Sequence, residues 1–480
     1  MRGTGMSSTV AKEHRADRHP CADPDAEQVS PAPARRALEQ RDHGRDDGVR
    51  AMPPATRQAY GDDPRAVDAD VTGAVRAVLG DLLAGQVAAA ESVDPLFGAD
   101  LAARVARFTQ GGGKLGRSRF VWWALRACGG AQHWQAHAAL RIGAALELIQ
   151  TCALVHDDVM DGARSRRGQP ALHVEVAEQY ADGPRGARLG QASAILAGDL
   201  ALAWADDVIA DTELPRATAR RVRELWRAMR TEMVAGQYLD VQGEATAERS
   251  LARAVRAACL KSALYSVERP LALGAALAGA GPAATRALCS AGRCVGLAFQ
   301  LRDDLLDVFG DPRETGKPAG GDIRSGKPTY LASVARARAE TSGDRRALDV
   351  LHRTLGRADA SDADLAAVRA VFVATGARDT VEEKIRRLTA QGLRHLHSAV
   401  LEPEPASRLE TMLRSATGVT VGTASDVVDV SSRLAAGSEA TAAESEATAP
   451  PPTEGLGLGT TADGDEETAT RATGTERAAR

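Results

Sequence analysis

Aromatic side chains are scarce in this chain: Phe, Trp and Tyr make up 3% of its 480 residues. So little ring volume suits helices packed closely through small residues better than a sheet sandwich. Lysine is scarcer still. Lys and Arg total 60, yet the lysines are only Lys12, Lys114, Lys261, Lys317, Lys327 and Lys384. The 6 cysteines, Cys21, Cys128, Cys152, Cys259, Cys289 and Cys294, show no paired metal spacing, so they read as reduced thiols of a cytoplasmic protein. The start of the chain lacks the apolar core of a secretory signal. No uninterrupted apolar run approaches ~20 residues, so no membrane span is expected. Net charge is −4 without a long basic stripe, which gives a nucleic-acid partner no support.

Both ends lack large apolar side chains. Residues 1–65 mix Arg, Asp, His and Pro without periodicity, and residues 422–480 are rich in Ala, Thr, Glu, Gly and Pro. Such segments bury too little surface to offset their ordering entropy, so both are expected to be disordered tails around a folded region at 66–421. Within that region apolar residues recur every three or four positions. The stretches run over 66–90, 119–127, 137–158, 191–210, 216–238, 250–277 with a break at Pro270, 282–309, 330–339, 345–355, 363–375 and 380–401. Gly183-Pro184, Gly281-Pro282 and Pro403-Glu404-Pro405 read as turns. The expected fold is all-α, a single large helical bundle surrounding a central cavity.

One acidic pattern, Asp-Asp-x-x-Asp, occurs twice, as Asp157, Asp158 and Asp161 and again as Asp303, Asp304 and Asp307. Helical spacing stacks the first and last Asp of each run on one face. Carboxylates clustered at the ends of apolar helices repel unless a cation lies between them. Mg²⁺ held by a few carboxylates and substrate phosphates is a common solution. A basic loop follows each run, with Arg166, Arg167, Gly168 and Pro170 after the first and Arg313, Gly316, Lys317 and Pro318 after the second. Carboxylate, metal, phosphate and loop cation then form one neutralising series. Lys114 follows three glycines, and Lys317 and Lys327 each lie between a Gly and a Pro. In a chain so biased towards Arg, these compact ammonium groups are candidate diphosphate partners.

An ordered series of motifs carries a family resemblance. It comprises Gly112-Gly113-Lys114 with Arg117, Glu147-Leu148-Ile149-Gln150 leading to His156-Asp157-Asp158-Val159-Met160-Asp161, Arg166-Arg167-Gly168 with Pro170 and His173, and Gly198-Asp199. It continues with Gly236-Gln237 and Asp240, Lys261-Ser262, Phe299-Gln300 before Asp303-Asp304-Leu305-Leu306-Asp307, and Gly316-Lys317 through Asp322 to Gly326-Lys327-Pro328-Thr329. Over about residues 70–416 the chain resembles the trans-isoprenyl diphosphate synthases of the polyprenyl synthetase family.

The resemblance implies condensation of isopentenyl diphosphate with an allylic diphosphate (dimethylallyl, geranyl or farnesyl). Asp157, Asp161 and Asp303 would hold about three Mg²⁺, supported by Asp158, Asp304 and Asp307. Arg166, Lys261, Ser262, Gln300, Lys317 and Lys327 would complete the allylic pocket. Lys114, Arg117, Gln150 and Arg167 would hold isopentenyl diphosphate. Family members are usually homodimers. Leu115 and Ser118 depart from the Arg and Pro usual in the family.

Cys152 and Ala153, five and four positions before Asp157, lie about one turn deeper on the same helix. By the resemblance, bulky aromatics there would floor the pocket near a C15 product, so these small residues suggest geranylgeranyl diphosphate (C20). The competing reading is that another helix supplies the floor, for example through Trp122, Trp123 or Trp204, and farnesyl or longer products are the alternatives to C20. A class I terpene cyclase would need neither the second acidic run nor Lys114 and Arg117. A non-catalytic partner subunit would not need intact aspartates.

Overall fold

The computed structural model describes residues 63–419 apart from 181–182, 247–249 and 312–318. The expectations for tails at 1–65 and 422–480 therefore lie almost wholly outside the described residues, as does Lys317. Among the described residues the helices of eight or more residues are α1 (Val71–Val93), α2 (Ala103–Gln110), α3 (Gly116–Ala127), α4 (His133–Met160), α5 (Leu172–Tyr180), α6 (Gly183–Ala210) and α7 (Arg216–Ala245). Next come α8 (Leu251–Ala258), α9 (Arg269–Ala278), α10 (Pro282–Phe309), α11 (Tyr330–Ser342), α12 (Arg345–Thr354), α13 (Asp362–Ala374), α14 (Ala377–His397) and α15 (Pro403–Thr417). Between α8 and α9 the chain winds as a π-helix over Cys259–Glu268. The all-α expectation holds; the only strands among the described residues are β1 (Ser165–Arg166) and β2 (Gln169–Pro170).

Helix α4 is the axis of the fold. It is buried around its whole circumference between Ala144 and Ile149, with Glu147 the one charged side chain in that span, which suits a helix enclosed by others. α6, α3 and α1 pack against it, and its apolar side chains join those of α7, α9 and the first half of α10 in one core. The second half of α10 leaves that core through Leu301, Leu305 and Val308 and enters another, built with α11 to α14. Both acidic runs lie at helix C-termini, on α4 and α10, where exposed carbonyls add partial negative charge.

Three sequence readings are corrected. Pro403 does not mark a turn; its fixed φ and missing N–H suit the first helical turn, and α15 begins there. Gly183-Pro184 likewise opens α6. The break expected at Pro270 is instead the π-helix just before it, whose wider winding absorbs the register change while the axis continues. By length and composition α1 and α4 are each apolar enough to cross a membrane, although 78% of the α4 window is buried inside the protein.

Candidate active site

The first acidic run is held from three directions. Gln237 Nε2 on α7 donates to Asp157 Oδ1 at 3.0 Å, and Lys261 Nζ on the π-helix reaches the same oxygen at 3.1 Å. Arg166 Nη2 lies 3.3 Å from Asp157 Oδ2, and Arg166 Nε donates to Asp158 Oδ1 at 2.7 Å. Burial pushes the Asp157 carboxyl up, but Lys261 and Arg166 outweigh it and hold the group below the usual carboxylate range. Asp158 and Asp161 shift the other way, raised first by burial and further by Asp157. Asp158 Oδ2 is buried without a hydrogen-bond partner.

The loop after the run is a hairpin whose register pairs Arg166 with Gln169. Its two turn residues both take positive φ, 55° at Arg167 and 75° at Gly168, the pattern of a primed hairpin turn. Neighbouring residues at this tip thus diverge. Arg166 faces the aspartates, while the Arg167 guanidinium lies across Gly112, where a Cβ would come within 2.4 Å of its Nη1. One hairpin presents a cation to each of two sites.

The second run is joined to the first through the π-helix. Ser262 Oγ donates to Gln300 Oε1, and Gln300 Nε2 donates to Asp304 Oδ1 at 2.7 Å. Lys261 Nζ also reaches Asp240 Oδ2 at 2.6 Å, and Lys327 Nζ lies 3.4 Å from that same oxygen. Lys327 stands between the runs: burial disfavours its charge, but Asp322, Asp240, Asp304 and Asp157 raise its pKa well above the ordinary lysine value. Local structure explains its position. Gly326, at φ 76°, ends the short helix Gly321–Ser325, and the Thr329 side chain caps α11 at Ala332 N, so Lys327 projects from the junction. Asp307 pins that junction by accepting the Asp322 N–H at 2.9 Å. Asp303 is exposed beside it.

α7 contributes more than Gln237. Asp240 and Glu244 follow it at helical spacing, and burial raises Glu244 to about 7, reinforced by Asp240 and Asp161. Burial, together with the surrounding carboxylates, also raises Asp304 and Asp322. Gln237, Asp240, Glu244 and Asp322 were not among the assigned site residues, although the three-, four- and seven-residue spacing on α7 was visible. α7 approaches the π-helix closely at Gly236, where a Cβ would meet Lys261 N at 2.3 Å and Leu260 C at 2.8 Å. These are backbone atoms that cannot swing aside. Gly236→Ala is therefore expected to cost about 2–3 kcal/mol, read as a lower midpoint in urea unfolding.

The second basic cluster lies about two helix turns below. Lys114 is exposed on the Gly-rich loop before α3. The Arg117 guanidinium stacks 4.4 Å over the Tyr265 ring, and Gln150 Oε1 accepts from Tyr265 Oη at 2.9 Å. Leu115, one of the departures, takes φ 50° and is buried in the main core, so that position supplies packing where a cation was usual. Ser118, the other, lies 2.7 Å from buried Glu147 Oε1. Burial raises the Glu147 carboxyl, opposed by Arg117, Ser118 and Arg167.

No three His, Cys, Asp or Glu side chains are grouped to hold a metal ion among the described residues. Lys261, Lys327 and Arg166 instead occupy the spaces between carboxylates. The donor chemistry still fits a hard divalent cation. Asp157, Asp158, Asp161, Asp240, Glu244, Asp303, Asp304, Asp307 and Asp322 are all oxygen donors linked in one electrostatic cluster, and one Asp158 oxygen is buried and unpartnered.

The sequence profile of the polyprenyl synthetases matches residues 100–371. The chain belongs to the polyprenyl synthetase family. The (2E,6E)-farnesyl diphosphate synthase of Mycobacterium tuberculosis (strain ATCC 25618 / H37Rv) is 33% identical over 300 residues, 62% of this chain and 78% of the relative. The geranylfarnesyl diphosphate synthase of Aeropyrum pernix is 32% identical over 297 residues, 61% of this chain and 84% of the relative. The geranylgeranyl pyrophosphate synthase of Corynebacterium glutamicum, solved with isoprenyl diphosphate and magnesium, superposes with a TM-score of 0.67 at 37% identity, covering 72% of this chain and 99% of that one. These relatives are named for products of different length.

Proposed function

We propose that this polyprenyl synthetase condenses an allylic diphosphate with isopentenyl diphosphate, head to tail, with geranylgeranyl diphosphate as its main product. The observation that carries this is the pairing of an aspartate-lined cluster with a separate basic cluster on the same helix α4, at Asp157 and at Gln150. Arg166, Lys261, Gln300 and Lys327 would bind the allylic diphosphate, with Ser262 orienting Gln300. Lys317 has the same expected role, but it lies outside the described residues. Lys114, Arg117, Gln150 and Arg167 would hold the diphosphate of the second substrate. Asp157, Asp158, Asp161, Asp303, Asp304 and Asp307 would hold Mg²⁺, which neutralises the leaving diphosphate.

In the reaction the allylic C–O bond breaks and its electron pair leaves with the diphosphate. The isopentenyl double bond attacks the resulting cation, a C–C bond forms, and the proton lost from the adjacent carbon goes to the released diphosphate. Arg166, Lys261 and Lys327 stabilise the negative charge that develops on the leaving group. A terpene cyclase would have no use for the Arg117–Gln150–Arg167 cluster, and a non-catalytic subunit no use for intact aspartates. Homodimer formation belongs to the same proposal. Leu189, Ile195 and Leu196 on α6, with Val234, Tyr238 and Val241 on α7, are large apolar side chains exposed in the monomer.

Incubation of the purified chain with Mg²⁺, labelled isopentenyl diphosphate and each allylic primer, followed by sizing of the dephosphorylated alcohols, tests the reading. Linear C20 alcohol is expected. Cyclic hydrocarbon would favour the cyclase, and no product would favour the partner subunit.

The two small residues behind C20 differ in setting. Ala153 is half-buried one turn below Asp157, whereas Cys152 is buried, with its Sγ 3.8 Å from His156 Nδ1 on the flank facing α6, where His156 Nε2 donates to Ile195 O. Ala153→Phe is accordingly expected to move the main product from C20 to C15, and Cys152→Phe to shorten it less. Chromatography of the alcohols reads both, and unchanged length in both variants would refute this wall.

A further inference from the structure

α4 and the π-helix run antiparallel, and side chains bridge them at successive levels. Asp157 meets Lys261 at one level; Gln150 meets Tyr265 at the next. At 1.5 Å rise per residue the two levels on α4 are about 10 Å apart. Tyr265 is buried, 3% exposed, yet it touches two members of the basic cluster. Its Oη donates to Gln150 Oε1, which fixes the amide and leaves both Nε2 protons unspent. Its ring supports the Arg117 guanidinium at 4.4 Å. The next residue, Ser266, accepts from Arg117 Nη2 at 3.0 Å, and Arg117 Nε is buried without a hydrogen-bond partner, so the guanidinium is held by its edge and face, with the buried Glu147 carboxyl acting on it only through space. An arginine fixed in this way keeps charge available for an incoming anion.

We infer that Tyr265 is a positioning residue for the second diphosphate, orienting Gln150 through its hydroxyl and Arg117 through its ring. The inference rests on the proposed binding of isopentenyl diphosphate at that cluster and adds a residue that does not itself touch substrate. Loss of the hydroxyl leaves Gln150 free to turn. Loss of the ring also leaves Arg117 unsupported.

Calorimetric titration of the full chain with isopentenyl diphosphate tests this. Tyr265→Phe is expected to raise the Kd about fivefold and Tyr265→Leu about twentyfold. Binding of farnesyl diphosphate with Mg²⁺ should change less than about twofold in both. In steady state the same split appears as a raised KM for isopentenyl diphosphate with kcat nearly unchanged. The inference is overturned if Tyr265→Phe binds isopentenyl diphosphate as tightly as the wild type, or if both ligands weaken together, as general loosening of the fold would produce. A wild-type chain that binds isopentenyl diphosphate but forms no prenyl product would overturn the proposed condensation while leaving the binding comparison to decide the role of Tyr265.

Discussion

Treatment with EDTA is expected to lower prenyl diphosphate formation by about ten-thousandfold, and added Mg²⁺ to restore it. The reason is charge. The leaving diphosphate must enter a space already lined by Asp157, Asp161, Asp240, Glu244 and Asp304, with Lys261 and Lys327 shared among them. Lys261 and Lys327 cannot both neutralise these carboxylates and stabilise a diphosphate. In the free protein they are committed to Asp157, Asp240 and Asp322. Divalent cations on the aspartates would release both ammonium groups towards phosphate oxygens. A ten-thousandfold loss corresponds to about 5.5 kcal/mol of transition-state stabilisation, within reach of metal neutralisation of a leaving group. The same charge pattern predicts that Mg²⁺ alone binds weakly and that an unreactive diphosphate analogue strengthens it, since metal and diphosphate then displace the lysines together. Full turnover in EDTA would remove the basis of the proposed mechanism.

Much of this arrangement was legible from residues alone, for physical reasons that can be named. α10 begins at Pro282 and ends at Phe309 as the periodicity predicts, because Gly281-Pro282 and Gly310 punctuate it. Lys327 stood out through the scarcity of lysine, and it occupies the centre of the carboxylate cluster. Other features were hidden. A π-helix and an α-helix carry similar apolar patterns over ten residues, so the winding at Cys259–Glu268, and with it the stepwise contacts of Lys261 and Tyr265, could not be read. The short α2 and α5 leave too few turns for a clear period, and α5 is tied to α2 by Arg104, which pairs with Glu175 and Gln179. Leu115 looked like a missing cation. Only its neighbours in space reveal that the position is core. Gly236-Gln237 and Asp240 stood in the motif series, but their place beside Lys261 emerges only when the π-helix is laid against α7 at Gly236.

Asp157→Asn separates the charge of the first run from its shape. The amide keeps the volume of the carboxylate, and its oxygen can still accept from Lys261 Nζ or Gln237 Nε2, which lie 3.1 Å and 3.0 Å from Asp157 Oδ1. Asp240, 2.6 Å from the same ammonium, remains to hold Lys261 charged. The fold should therefore lose only about 1–2 kcal/mol, visible as a modest fall in urea midpoint. Turnover should fall far more, by about a thousandfold in kcat, or about 4 kcal/mol, because an anion that would share the metal charge with the leaving diphosphate is gone. The Kd for isopentenyl diphosphate should stay within about threefold of wild type, since Gln150 and Arg117 lie two helix turns away. Single-turnover assays beside calorimetry give both values for one preparation. A kcat within tenfold of wild type would remove Asp157 from the chemistry; loss of both substrates together would mean that its main work is holding α4, α7 and the π-helix in register.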